Sequence, residues 1–305
     1  MEQSTKTKKA YICAAFTIII WGTLSPVSKI LLGQLDAMFV LAFSSVIAAI
    51  VLLIYNCIKG NFKKFRKNCL SDIVKMAALG VLGFFLYNWF YLMGINLLPS
   101  QQAMIINYLW PAMIIVFSCI FLREKVTLSK VAAVVLALTG VGIVAVNGNV
   151  SAFMGGSING VAFCLCAAVS YGLYAVLNKR QTYDKEIAMF VVYATTAVIS
   201  CICVIAGGKL PEAQVLDMRT IQGLLYEGIV INAMGYTCWM LALEYGNTAV
   251  VSNLAYLTPF ISLVFAKLLL NENISIYSIA GLILIILGIA IQVIGEKSRN
   301  IEADY

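Results

Sequence analysis

The sequence predicts an all-α membrane protein of ten transmembrane helices, arranged as two inverted five-helix repeats. Three observations carry that expectation: an apolar excess along the whole chain, ten runs of spanning length, and one long pattern written twice. Of 305 residues, 62% are hydrophobic and only 11% are charged, whereas a soluble domain averages roughly 45–50% apolar and about 25% charged. No polar shell can be assembled from such a chain, so its apolar faces are left to lipid.

A spanning helix needs about 20 mainly apolar residues. Runs of that kind fall at about 10–32, 35–58, 73–93, 101–121, 128–146, 158–177, 187–206, 221–243, 248–270 and 276–294. The connections between them are short, and the alternating pattern of an outer-membrane barrel is absent. The first run follows the basic leader MEQSTKTKK and resembles a signal peptide in that respect. No small-residue cleavage site stands behind it, so it reads as a retained first helix.

Lys and Arg set the orientation, because cytoplasmic loops carry their excess. They concentrate in the N-terminus, the second, fourth and sixth loops and the C-terminus, with KGNFKKFRK (59–67) as the main anchor. The odd-numbered loops hold only Lys209 and Arg219. Both termini are therefore expected in the cytoplasm of a bacterial-type plasma (inner) membrane. The net charge of +7 needs no nucleic-acid partner; a retention signal facing anionic lipid explains it.

The repeat is legible in words. NYLWPAMIIVFSCIFLREKV (107–126) returns as AYLTPFISLVFAKLLLNENI (255–274), a shift of 148 that pairs Tyr108 with Tyr256, Pro111 with Pro259 and Glu124 with Glu272. Trp21, Gly22 and Lys29 match Tyr171, Gly172 and Lys179 at a shift of 150, and Gly140 matches Gly288. The copies are expected over 1–148 and 157–297, joined near VNGNVSAFMGGSING (146–160). Five is odd, so the second copy starts on the opposite side of the membrane from the first. Inverted repeats are a recurrent build of secondary transporters, with the substrate near midplane.

These words carry a family resemblance. Over nearly its full length the chain resembles the EamA branch of the drug/metabolite transporter superfamily. NYLWP (107–111), GYTCW (235–239) and YGN…YLTP (245–259) are similar to the bacterial aromatic amino acid exporters of the YddG type. The resemblance implies an inner-membrane exporter with a ten-helix basket and a central cavity.

Polar side chains inside hydrocarbon are costly unless they face the bundle interior, so they point to the lumen. In the third run Phe84, Tyr87, Asn88 and Tyr91 follow helical spacing and are expected on one stripe, as are Asn232, Tyr236 and Trp239 in the eighth. Tyr171, Tyr174 and Asn178 share a face in the sixth, answering Trp21, Leu24 and Ser28 in the first. Trp21 and Trp110 sit near the middle of their runs, whereas Tyr91 and Trp239 lie near the ends, where an interfacial aromatic belt also collects such rings. The substrate-lining candidates are thus Asn88, Tyr87, Asn107, Tyr108, Trp110 and Tyr174, with Asn232, Tyr236, Trp239 and Tyr256 from the second copy.

Pro111 and Pro259 each remove a backbone donor, and paired kinks there are candidate hinges. Glu124 and Glu272 lie just past their runs and are expected to be structural, capping the next helix or pairing with Lys125 or Lys130. Glu227 is the one acid about two turns inside a run, hence a candidate for proton coupling; its counterpart is Leu79.

Rings stack on Trp and Tyr, and amides bond amino or carboxyl groups, so small amphipathic solutes suit such a lining. Aromatic amino acids come first and quaternary ammonium or other organic cations second, through cation–π attraction. A non-transporting membrane scaffold is the remaining alternative. The chain has no histidine, which removes Ser–His and Cys–His catalysis and histidine metal sites. Nine cysteines at spacings such as Cys164/Cys166 make poor chelates, so neither metal nor cofactor is expected. No GxxxxGK[ST] loop occurs, and ATP is not the direct driver.

Overall fold

In the computed structural model every element is helical. The structure describes residues 2–61, 70–150, 158–246, 250–251 and 254–303, with side chains from 8 to 295. Residues 62–67 of the basic anchor, residues 151–157 of the segment joining the copies, and residues 248–249 and 252–253 of the ninth predicted run lie outside the described residues.

The elements in chain order are α1 (Glu2–Leu32), α2 (Ala37–Ile58), α3 (Leu70–Gly80), a π segment (Val81–Leu86) and α4 (Tyr87–Leu97). There follow α5 (Ser100–Asn107), α6 (Trp110–Phe121), α7 (Leu128–Val146), α8 (Ile158–Lys179) and α9 (Lys185–Ala206). Then come α10 (Met218–Leu225), a second π segment (Tyr226–Met234), α11 (Gly235–Tyr245), α12 (Thr258–Leu270) and α13 (Ile276–Ala303). Eight helical stretches among the described residues are long and apolar enough to cross a membrane, and Ala255–Leu270 is a shorter apolar helix. The path from Met218 to Tyr245 is helical without interruption.

Helix starts follow from side chains that satisfy orphan N–H groups. Asp36 accepts from Met38 N at 2.8 Å and begins α2; Asp217 accepts from Thr220 N at 2.8 Å and begins α10. Asp184 takes both Glu186 N and Ile187 N at the head of α9. That bond pattern at Thr220 also holds the Asp217 carboxyl below its usual range. Asn147 and Asn271 close α7 and α12 in the left-handed conformation, a role Asn fills with little penalty.

Two compact units emerge, and neither is a sequence copy. The first takes Met1–Phe85 and Thr182–Glu272; the second takes Leu86–Gln181 and Asn273–Tyr305. Within the first, α1 packs on α11 and α12, and α2 and α3 pack on α9. Within the second, α8 packs on α4, α5 and α6, and α7 packs on α13.

Close helix approaches depend on small residues, as is usual where lipid supplies no hydrophobic drive between helices. A Cβ on Gly22 would stand 2.6 Å from Ile261 Cγ2 and 3.3 Å from Ser262 N; one on Gly172 would stand 2.5 Å from Met113 Cβ and 3.2 Å from Ile114 N. These are the same two contacts at shifts of 150 and 148, one in each unit. Other features recur at 148. Arg123 and Asn271 have φ of 55° and 52°, and Glu124 N and Glu272 N reach back to Ser118 O and Ala266 O at 3.3 and 3.2 Å.

The prolines differ from the expectation of mid-helix kinks. Pro111 and Pro259 each lie in the first turn of a new helix, α6 and α12, after a tight turn at Tyr108–Leu109 and a 3-10 turn at Ala255–Leu257. There the missing N–H falls among donors that have no helical partner anyway. The sequence signals the break correctly and the proline starts the next segment instead of bending one helix.

Candidate functional site

Each unit contains its own cluster of aromatic and polar side chains. In the first unit Tyr236, on α11, meets three rings: Trp21 at 5.0 Å, Phe84 at 5.4 Å and Tyr193 at 6.1 Å between centroids. Trp21 also touches Trp239 at 5.4 Å, and Phe84 meets Tyr193 edge-on at 5.2 Å. Tilted and edge geometries of this kind are the favoured ones for ring pairs. Trp239 is thus a cluster member, half-buried against Trp21.

More than two turns earlier on the same helical path, the second π segment carries Tyr226 and Glu227. Tyr226 shares a hydrogen bond with Thr23 at 3.0 Å. Glu227 is 3% exposed and accepts a bond from Ser28 Oγ at 3.3 Å. Asn232 is half-buried in the same segment. π turns appear in helices mostly as single insertions, frequently at functional sites.

In the second unit Asn107 closes α5 and is 3% exposed. Its Nδ2 donates to the Tyr87 hydroxyl at 3.1 Å, while its Oδ1 has no hydrogen-bond partner among the described residues. Around it, Tyr87 stacks on Tyr91 at 6.0 Å and meets Tyr171 at 5.1 Å. Trp110 meets Tyr108 at 5.7 Å and Tyr171 at 5.4 Å, and Tyr174 lies 5.8 Å from Tyr171. Tyr91 is fully buried, with its hydroxyl on Met104 Sδ at 3.1 Å, and so it too is no belt residue.

The structure splits the expected stripe in the third run. Phe84 belongs to the first unit's cluster, whereas Tyr87 and Tyr91 belong to the second's. The cause is the π segment Val81–Leu86: its wider turn breaks the 3.6-residue period on which the stripe was drawn. Asn88 is half-buried on α4 and Tyr256 is half-buried in the turn before α12. Sequence reasoning missed Tyr193. The signal was present, since Tyr193, Thr196 and Ser200 follow helical spacing in α9 and all three are buried.

Glu124 receives Lys130 Nζ at 2.7 Å, one of the pairings its position suggested. Cys164 is buried and Cys166 exposed on the same helix, so that pair does not converge.

These features define the class: a multi-pass membrane protein with aromatic and amide side chains packed between its helices. The family model of the EamA-like transporter family matches residues 8–146 and again 158–294. The chain belongs to that family and is a membrane transporter. It is 26% identical over 299 residues to an uncharacterized transporter of Clostridium kluyveri, covering 96% of each chain. It is 27% identical over 189 residues to a probable amino-acid metabolite efflux pump of Salmonella typhimurium, covering 58% of this chain and 62% of that one. It is 26% identical over 188 residues to the aromatic amino acid exporter YddG of Ancylobacter novellus, covering 60% and 63%. A solved crystal structure shares the fold with a TM-score of 0.68 at 20% identity, over 94% of this chain and 98% of that one.

Proposed function

We propose that this transporter exports small amphipathic metabolites, aromatic amino acids foremost, by alternating access. The observation that carries the reading is Asn107: a buried amide oxygen lacking a partner, in a cluster with Tyr87, Tyr108, Trp110 and Tyr171. An unmet buried acceptor costs about 1–3 kcal/mol, a cost that a bound N–H donor would relieve. A solute with an amino group and a ring supplies that donor and stacks on the same rings. The Salmonella and Ancylobacter relatives, named for amino acid efflux and aromatic amino acid export, support this choice.

The architecture we propose is ten helices in two inverted repeats, over 1–148 and 157–297, with both termini cytoplasmic in a bacterial-type plasma membrane. The double family match and the paired contacts of Gly22 and Gly172 support it. Contacts inside the first unit oppose a swing of the first copy as a block. Its α1 is interlocked with α12 at Gly22, and its α2 packs on α9. The moving bodies are therefore mixed, each drawing helices from both copies, with the breaks before Pro111 and Pro259 as hinges and Glu227 as the coupling acid.

Organic cations are the second reading, favoured by the same rings through cation–π attraction. Counterflow in liposomes tests both. Vesicles holding the purified protein are preloaded with phenylalanine, tryptophan, choline or nothing, and labelled tracer is added outside. Accumulation driven by phenylalanine or tryptophan, lost in Tyr236→Ala and Trp110→Ala, is the expected result. Accumulation with choline alone moves the protein to the second reading, and silence with folded protein ends the aromatic amino acid assignment.

A further inference from the structure

A cavity of about 510 Å³ opens at one end of the first unit, within the range of roughly 300–1,000 Å³ typical of small-molecule sites. Its polar side is built where α2 ends and α9 begins, and its apolar side comes from Met240, Leu241 and Leu243 of α11. Nothing in the proposed transport cycle yet uses it.

Most of its charge is already engaged. Lys59 Nζ sits 2.7 Å from Glu186 Oε1 and 4.9 Å from the Tyr55 ring centroid. The Tyr55 hydroxyl donates to the same oxygen at 3.1 Å, and Asn61 Nδ2 donates to Glu186 Oε2 at 2.7 Å. The Glu186 hydrogen bond, with Tyr55 next, holds the Lys59 ammonium above its ordinary range, so this pair stays ionised. Asp184 spends Oδ1 on capping α9. Glu244 differs: it is exposed, lines the cavity, and makes no hydrogen bond or ion pair among the described residues.

We propose that this cavity is an ammonium-recognising site, in which Glu244 takes the cationic head of an amphipathic solute and Met240 and Leu241 carry its apolar part. An anion is disfavoured, because three carboxylates, Asp184, Glu186 and Glu244, line the cavity against two ammonium groups, and the Lys59 charge is already paired. Lys185 also lines the site, its ammonium 4.7 Å from the Tyr183 ring centroid, which admits a zwitterion as well as a cation. The proposal rests on the reading that such solutes are transported, but its test reads binding and not flux.

Equilibrium binding of labelled phenethylamine and of 3-phenylpropionate is measured on the purified full chain and on Glu244→Gln and Glu244→Lys. Each is repeated in an Asn107→Leu background, which removes the unmet acceptor of the second unit. Glu244 is exposed, so both substitutions leave folding intact. Phenethylamine binding weakened about tenfold in Glu244→Gln, with 3-phenylpropionate unchanged and favoured in Glu244→Lys, is the expected result. Unchanged phenethylamine affinity in both variants, or no phenethylamine binding to the parent chain, overturns the site. Counterflow on the same preparations reports separately on transport.

Discussion

Trp21 lies on Gly235 where no side chain could stand: a Cβ at Gly235 would come within 2.8 Å of the indole Nε1. The contact is tightened by Thr17, whose hydroxyl donates to the Gly235 carbonyl at 3.1 Å. In the second unit the positions corresponding at 148 and 150 are Tyr87 and Tyr171, which meet ring to ring at 5.1 Å. One unit fills this contact with an indole against bare backbone, the other with two phenols.

Gly235→Ala should therefore displace Trp21 and loosen its contacts with Tyr236 and Trp239. Overpacking of this kind typically costs about 1–3 kcal/mol. Gly142→Ala is the control, since nothing lies within 4 Å of a Cβ there and alanine is the better helix former by about 1 kcal/mol. Thermal unfolding in detergent should show a lowered midpoint for Gly235→Ala alone. Equal midpoints for the two variants would contradict the packing described.

The pairing of Lys59 with Glu186 at 2.7 Å gives a second, smaller effect. Lys59 has its ammonium raised above the ordinary range by Glu186, so folding gains stability that is fully present below the usual lysine value. That gain is lost as pH rises through the raised value. Lys59 is 40% exposed, and solvent screening keeps the contribution to about 1 kcal/mol or less. Lys59→Met should lower the unfolding midpoint slightly at neutral pH and low salt, with the difference shrinking in high salt. A salt-independent difference would assign the effect to packing on Tyr55. Burial lifts the Tyr183 hydroxyl to about 12, with Asp72 adding to it, so Tyr183 is neutral at the neutral pH of that comparison.

Much of this was legible in the sequence, and the exceptions have local causes. Glu124 and Lys130 are separated by one short turn, so their pairing follows from spacing. The recurrence of Gly22 as Gly172 is visible as text, and both glycines meet equivalent partners because the copies fold alike locally. Phe84 and Tyr87 could not be separated by an α-helical period, because a π turn leaves no mark in composition. Pro111 marked a break in the chain, but its side of the break depends on the tight turn at Tyr108–Leu109. Tyr91 looked interfacial by position along its helix; its burial depends on neighbours that linear position does not reveal.

Glu227 is 3% exposed and, among the described residues, accepts a hydroxyl bond from Ser28 at 3.3 Å. A carboxylate in such surroundings is expensive unless it is protonated or functional. If it couples transport to protons, Glu227→Gln should retain counterflow while losing acceleration by a pH gradient. Ser28→Ala should keep that acceleration, because the carboxyl remains. A gradient response surviving in Glu227→Gln would leave Glu227 with a structural role only.

Asn107 separates stability from function most sharply. Its Nδ2 bond to Tyr87 at 3.1 Å is worth about 0.5–1.5 kcal/mol, whereas the unmet Oδ1 costs about 1–3 kcal/mol. Asn107→Leu removes both and should leave the unfolding midpoint unchanged or raised. If the unmet oxygen serves an amino group of the substrate, the same change should lower counterflow of phenylalanine about tenfold or more, which corresponds to roughly 1.4 kcal/mol. Asn107→Asp keeps an acceptor and should retain part of that flux. Opposite signs for stability and transport are what a binding residue produces, because the strain in the empty site is relieved by the ligand. A matched loss of both in Asn107→Leu would make Asn107 a packing residue, and the amino acid reading would lose its main support.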